Sequence, residues 1–191
     1  MPHPSGFRRR VGIQEPFARL MKQVYLFHGK GGSPKGTVAK IEPLLREVHA
    51  GFIYHRIVLP HHDPNVAAEK SVEYLQDFSV PPGAWLIGIS LGGLVAAKLQ
   101  ELGREDLHVA AISSPTWADG VRLEQKPEKR VAIYSSNDEV IAPRTADWPT
   151  LAEAYNFAWL THDTDAHKER LCKLLNLWLE GKPPAEAAQS L

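Results

Sequence analysis

Ser90 stands in the run Gly88-Ile89-Ser90-Leu91-Gly92-Gly93, between the apolar stretch Ala84–Ile87 and an alanine-rich stretch that reaches Leu102. Gly-x-Ser-x-Gly between a strand and a helix is the pattern of a nucleophile elbow. So sharp a turn lifts the serine hydroxyl above the sheet, and the residues two positions away must be small to clear the adjoining strands. The helix that follows aims free N–H groups and a partial positive charge at the reacting atom. Ser90 is therefore read as a nucleophile. A serine hydroxyl is weak at neutral pH and needs a base within hydrogen-bond reach.

Other chemistry-bearing residues fall in a few short runs. His28-Gly29-Lys30-Gly31-Gly32-Ser33-Pro34 follows an apolar run, and His61-His62-Asp63 follows another. Asp138 and Glu139 lie in Ser135–Pro143, and His162-Asp163-Thr164-Asp165-Ala166-His167 comes late in the chain. The histidine–aspartate runs lack a recognised ligand spacing, so no metal is expected; His61 or His62 is read as lining a cleft rim. Gly31–Thr37 has P-loop glycine spacing, but the lysine that would reach the phosphates does not follow Gly36. Gly88-x-Ser90-x-x-Gly93 carries serine where a dinucleotide fingerprint needs its second glycine, so that reading fails too.

Composition bounds the rest. Hydrophobic residues make up 43% and charged ones 23%, as in soluble globular domains. Lys plus Arg and Asp plus Glu are 22 each, so no net field draws in nucleic acid or an anionic membrane. No apolar run approaches the ~20 residues of a membrane helix. The single Cys172 allows no internal disulfide and is read as core; it suits a reducing cytoplasm, the expected location. Residues 1–20, rich in arginine and proline, read as a flexible arm; residues 21–181 read as one domain, and 182–191 as a loose tail.

The elements that must position these residues alternate. Strands are expected at Val24–Phe27, Phe52–Leu59, Ala84–Ile87, Leu107–Ile112, Val131–Tyr134 and Asn156–Leu160. Helices are expected where Val38, Ile41, Leu44, Leu45 and Val48 recur at helical spacing, and from Asp63-Pro64 onward. Others follow the elbow, run from Pro143 to Ala154 with a break at Pro149, and span Ala166–Glu180, where Leu171, Leu174, Leu175 and Trp178 share a face. Such alternation predicts a mostly parallel sheet of about six strands with helices on both faces.

The elbow serine, the His-Gly-Lys-Gly-Gly loop after the first strand, Asp138 after the strand two beyond the elbow, and a histidine after the last strand resemble the α/β-hydrolase superfamily. The likeness is to its small, capless, esterase-like members and spans residues 22–180. It implies the strand order second, first, third, fourth, fifth, sixth, with the family's first two strands missing and one sheet edge trimmed. The crevice then opens where that order reverses, at the carboxyl ends of the strands. The resemblance implies a triad of Ser90, Asp138 and His167, with His162 the rival base and Glu139 the rival acid. It implies an oxyanion hole of the Lys30 and Leu91 backbone N–H groups. His28, Gly29 and Gly31 would border the substrate, and Trp117, where family lids insert, would be a cleft wall. The expected function is hydrolysis of a small carboxylic ester or thioester through an acyl-enzyme on Ser90, with no metal or organic cofactor. A peptidase or transacylase with the same triad, or a non-catalytic binding protein on the same fold, are the alternatives.

Overall fold

A computed structural model describes residues 21–185; the expected arm, residues 1–20, and the end of the expected tail lie outside them. The central sheet is built from β1 (Gln23–Phe27), β2 (Ile53–Ile57), β3 (Trp85–Ile89), β4 (His108–Ile112), β7 (Arg130–Tyr134) and β8 (Glu153–Asn156). Its order is β2-β1-β3-β4-β7-β8 and every pairing is parallel. This is the expected order. All five residues of β3 are buried, as a strand covered on both faces requires.

Helices α1 (Thr37–Val48) and α5 (Lys168–Leu179) pack together on one face, while α2 (Ala68–Asp77) and α3 (Leu91–Glu101) pack on the other. Helix α1 turns Val38, Ile41 and Leu45 inward, and α5 turns Leu171, Leu174, Leu175 and Trp178 to the same layer, with Cys172 beside them. Helix α3 is buried almost all round because its glycines and alanines let it lie close on β3 and β4. A Gly181 with φ of +77° ends α5, where Lys182 N–H donates back to the Leu177 carbonyl. Among the described residues no helix is long and apolar enough to cross a membrane.

Three segments depart from the sequence reading. Asp63 and Pro64 form a turn, with Asn65 N–H donating to the Asp63 carboxylate, and α2 starts only at Ala68. A hairpin of β5 (Trp117–Ala118) and β6 (Val121–Arg122) fills the β4–β7 connection. Its two central residues, Asp119 and Gly120, both have positive φ, the geometry for which Asp-Gly is the strongest short signal. The expected long helix after Pro143 shrinks to α4 (Trp148–Leu151), and the last strand runs from Glu153 to Asn156, not Asn156 to Leu160.

Two histidines are drawn out of water, one fully and one partly. His61, in the 3-10 turn Pro60–His62, is fully buried, and His108 stacks on Trp85 with ring centroids 3.9 Å apart. Burial pulls both from 6.5 down to about 4. Above pH 6.5 both are neutral folded or unfolded. Below it the unfolded chain takes up protons that the fold refuses until about pH 4, so stability falls as pH drops through that window. The loss is on the order of 3 kcal/mol from His61 alone. Urea midpoints measured from pH 7 to pH 4 should decline, and less steeply in His108→Phe.

Candidate active site

The elbow is set by what its glycines leave out. Ser90 has φ of +52°, and its N–H donates to the Ile112 carbonyl at 2.8 Å, which ties the turn to the end of β4. A Cβ at Gly88 would lie 2.4 Å from the Gly92 carbonyl oxygen, and one at Gly92 would lie 2.5 Å from that of His28. The elbow and the turn after β1 therefore close on each other without room for a methyl group. Gly92→Ala should cost about 3 kcal/mol or more, whereas Gly51→Ala, in open space, should leave the unfolding midpoint nearly unchanged.

Three side chains converge at the carboxyl ends of the strands. Ser90 Oγ–H donates to His162 Nε2 at 3.1 Å, and His162 Nδ1–H donates to Asp138 Oδ2 at 3.0 Å. The buried Asp138 side chain can only accept, so it fixes the ring's tautomer and leaves Nε2 bare toward the serine. Val140 N–H donates to the other carboxylate oxygen at 3.0 Å.

His167, the expected base, is elsewhere. Its Nε2 pairs with the Thr161 hydroxyl at 3.0 Å and its ring packs edge-on against Trp159. The cause is the position of the last strand. β8 ends at Asn156, and a turn in which Leu160 N–H donates to the Phe157 carbonyl brings His162 over Ser90. A 3-10 turn, Thr164–His167, then carries His167 away to the start of α5. Glu139, the rival acid, has no part in this relay: it is Asp138 that faces the ring.

The turn after β1 faces the elbow. Gly29 comes so close that a Cβ there would lie 3.2 Å from Ser90 Cβ. Gly32 N–H donates to the Gly29 carbonyl at 3.0 Å, and Gly31, with φ of +67°, completes the reversal. The Lys30 N–H and the N–H of Leu91, first residue of α3, meet no protein acceptor among the described residues, and both residues border the cleft with Ser90. His28 borders it too, but both its ring nitrogens are engaged: Nδ1–H donates to the Gly29 carbonyl and Nε2 accepts the Leu59 N–H. Gly31 does not line the cleft; its N–H is turned to the His61 carbonyl.

The cleft has a volume of about 640 Å³, within the range of small-molecule sites. Ala118 and Asp119 of the hairpin line it together with Val140, Ile141 and Arg144. Trp117 is not a wall. Side chains alternate along a strand, so Ala118 points in while the indole, 40% exposed, sits outside near the Arg122 and Arg144 guanidinium groups. Lys30 Nζ pairs with Asp119 at 2.6 Å, joining the turn to the hairpin. His61 is buried, not at the rim as the sequence reading has it, and among the described residues no group of three His, Cys, Asp or Glu could hold a metal ion. Asp119 and Arg144, which border the cleft, were not singled out from sequence. The Asp-Gly pair was a usable signal for the first, but nothing local marks the second.

Sheet order, elbow and crevice together define the α/β-hydrolase fold, and solved structures agree. An α/β-hydrolase enzyme, MGS-MChE2, from a metagenome of lagoon sediments at Mar Chica, Morocco, is 19% identical with a TM-score of 0.64, over 84% of this chain and 91% of that one. Mouse alpha/beta hydrolase domain-containing protein 10 is 11% identical with a TM-score of 0.65, over 83% and 90%. Est1E from Butyrivibrio proteoclasticus, solved with ferulic acid bound, is 13% identical with a TM-score of 0.62, over 84% and 89%. By sequence, neither a protein-family model nor a curated protein matches the chain.

Proposed function

We propose that this protein is a serine hydrolase that cleaves small carboxylic esters or thioesters through an acyl-enzyme on Ser90. The observation that carries the reading is the unbroken relay from Ser90 Oγ through the His162 ring to Asp138, opening on a cleft beside two unpaired N–H groups. Ser90 Oγ attacks the substrate carbonyl while His162 Nε2 takes its proton. The former carbonyl oxygen, now negative, accepts hydrogen bonds from the Lys30 and Leu91 N–H groups. Collapse expels the alcohol or thiol, which leaves with the proton from His162. Water then attacks the acyl-enzyme with His162 again as base, releasing the acid and restoring Ser90. Asp138 holds the ring and stabilises the imidazolium that forms at each step. Est1E, a fold neighbour solved with ferulic acid bound, supports a ligand that carries a carboxylic acid group.

Reaction with a fluorophosphonate probe tests the nucleophile directly. Intact-mass analysis should show one adduct, peptide mapping should place it on Ser90, and Ser90→Ala should not label. Equal labelling of wild type and Ser90→Ala would overturn the assignment.

A further inference from the structure

The turn that presents the Lys30 N–H contains Gly29, Gly31 and Gly32, and glycine adds conformational freedom where an aimed donor needs none. Something outside the turn must hold it. The C=O and N–H of one peptide unit point in opposite directions, so pinning the Gly29 carbonyl also aims the Lys30 N–H. That carbonyl accepts from His28 Nδ1–H at 2.8 Å and from Gly32 N–H at 3.0 Å. The peptide units on either side are both held by one residue, His61. Its Nε2–H donates to the His28 carbonyl at 2.9 Å, and its own carbonyl accepts the Gly31 N–H at 2.9 Å.

His61 is held in turn by Ser71 of α2. The Ser71 hydroxyl donates to His61 Nδ1 at 2.7 Å and its oxygen accepts the His61 N–H at 3.1 Å. Both residues are fully buried, and the His61 and His28 rings meet edge-on at 5.0 Å. A polar pair with no exposed surface survives only if its bonds are made, and here those bonds run to the turn. We propose that His61 and Ser71 are positioning residues that fix the aim of the Lys30 N–H at the substrate oxygen. This rests on the reading of Ser90 as a hydrolytic nucleophile with Lys30 as an oxyanion donor.

The test uses His61→Ala, His61→Gln and Ser71→Ala, with two readouts. In His61→Ala, kcat on p-nitrophenyl acetate should fall about 100-fold, the loss of one oxyanion donor, with KM within about threefold of wild type. His61→Gln, whose side-chain amide can again donate to the His28 carbonyl, should recover most of that loss. Ser71→Ala, the variant least at risk of misfolding, should fall between them. Amide exchange over residues 28–33 should quicken in His61→Ala and Ser71→Ala while β3 and β4 keep their protection. Unchanged kcat with unchanged exchange in those segments, or a fall that glutamine does not relieve, would overturn the proposal. A wild type that hydrolyses nothing and does not label at Ser90 would instead remove the underlying activity, and the exchange readout would still decide whether His61 holds the turn.

Discussion

His162→Ala is expected to lower kcat on a short p-nitrophenyl ester by about four to six orders of magnitude, the scale on which triad members are lost. Ser90→Ala should cost as much, and the double variant no more than either, because the two act as one unit. His167→Ala should stay within about tenfold of wild type. Its ring reaches the neighbouring Thr161 hydroxyl and not Ser90, so its removal loosens the segment that carries His162 without deleting the base. A larger loss from His167→Ala than from His162→Ala would reverse the assignment of the base.

Arg130→Ala is expected to be the most destabilising of the substitutions away from the site, by about 3–5 kcal/mol. Arg130 opens β7 and is wholly buried. Its Nε–H donates to Gln100 Oε1, Nη2–H to the Ala97 carbonyl, and Nη1–H to the carbonyls of Gln125 and Leu151. Glu101, its side chain 2% exposed, lies 3.4 Å from Nη1. Burial lowers the guanidinium only to about 10, so it remains charged at neutral pH. Deleting it leaves the buried Glu101 carboxylate with Lys98 as its cation, several carbonyls without donors, and a hole at the junction of α3, β7 and the segment before β8. Against a typical total of about 5–15 kcal/mol that is a large share, and urea unfolding should read it as a drop of about 2 M in midpoint. Lys70→Ala, which removes an exposed pair with Glu73, should leave the midpoint where it is.

Much of this architecture was legible in the residues, for identifiable reasons. β1, β3, β4 and β7 are short apolar runs bounded by turn residues, and a strand covered on both faces has no other way to be written. Ser90 stood out because its glycines answer a steric demand, and Asp138 because the resemblance puts the family's acid after the matching strand. β8 was not. Glu153–Asn156 is half exposed and carries no apolar run, while the more apolar Phe157–Leu160 is a turn. With the strand expected three to four residues too late, His162 stood directly behind it, and the resemblance pointed to His167 at the start of the last helix as the base. Trp117 failed for a related reason: with only two residues in β5, the face each side chain takes depends on the hairpin's pairing, which residue type alone does not declare. His61 looked like a rim residue because histidine is polar, and only the fold reveals the Ser71 hydroxyl and His28 carbonyl that make its burial tolerable.

The narrow sheet has one more consequence, at its margins. Among the described residues the sheet ends on β2 at one side and β8 at the other, and an edge strand offers its free backbone groups to any passing chain. Both edges here make poor templates. β2 has five residues, and it carries a charged side chain, Arg56, committed to Glu42 and to the Pro34 carbonyl. β8 has four residues and begins with an exposed glutamate. An incoming strand would gain few rungs at either side and would have to displace charge to form them, so a hydrolase-fold sheet this small keeps its width without inviting edge-to-edge aggregation.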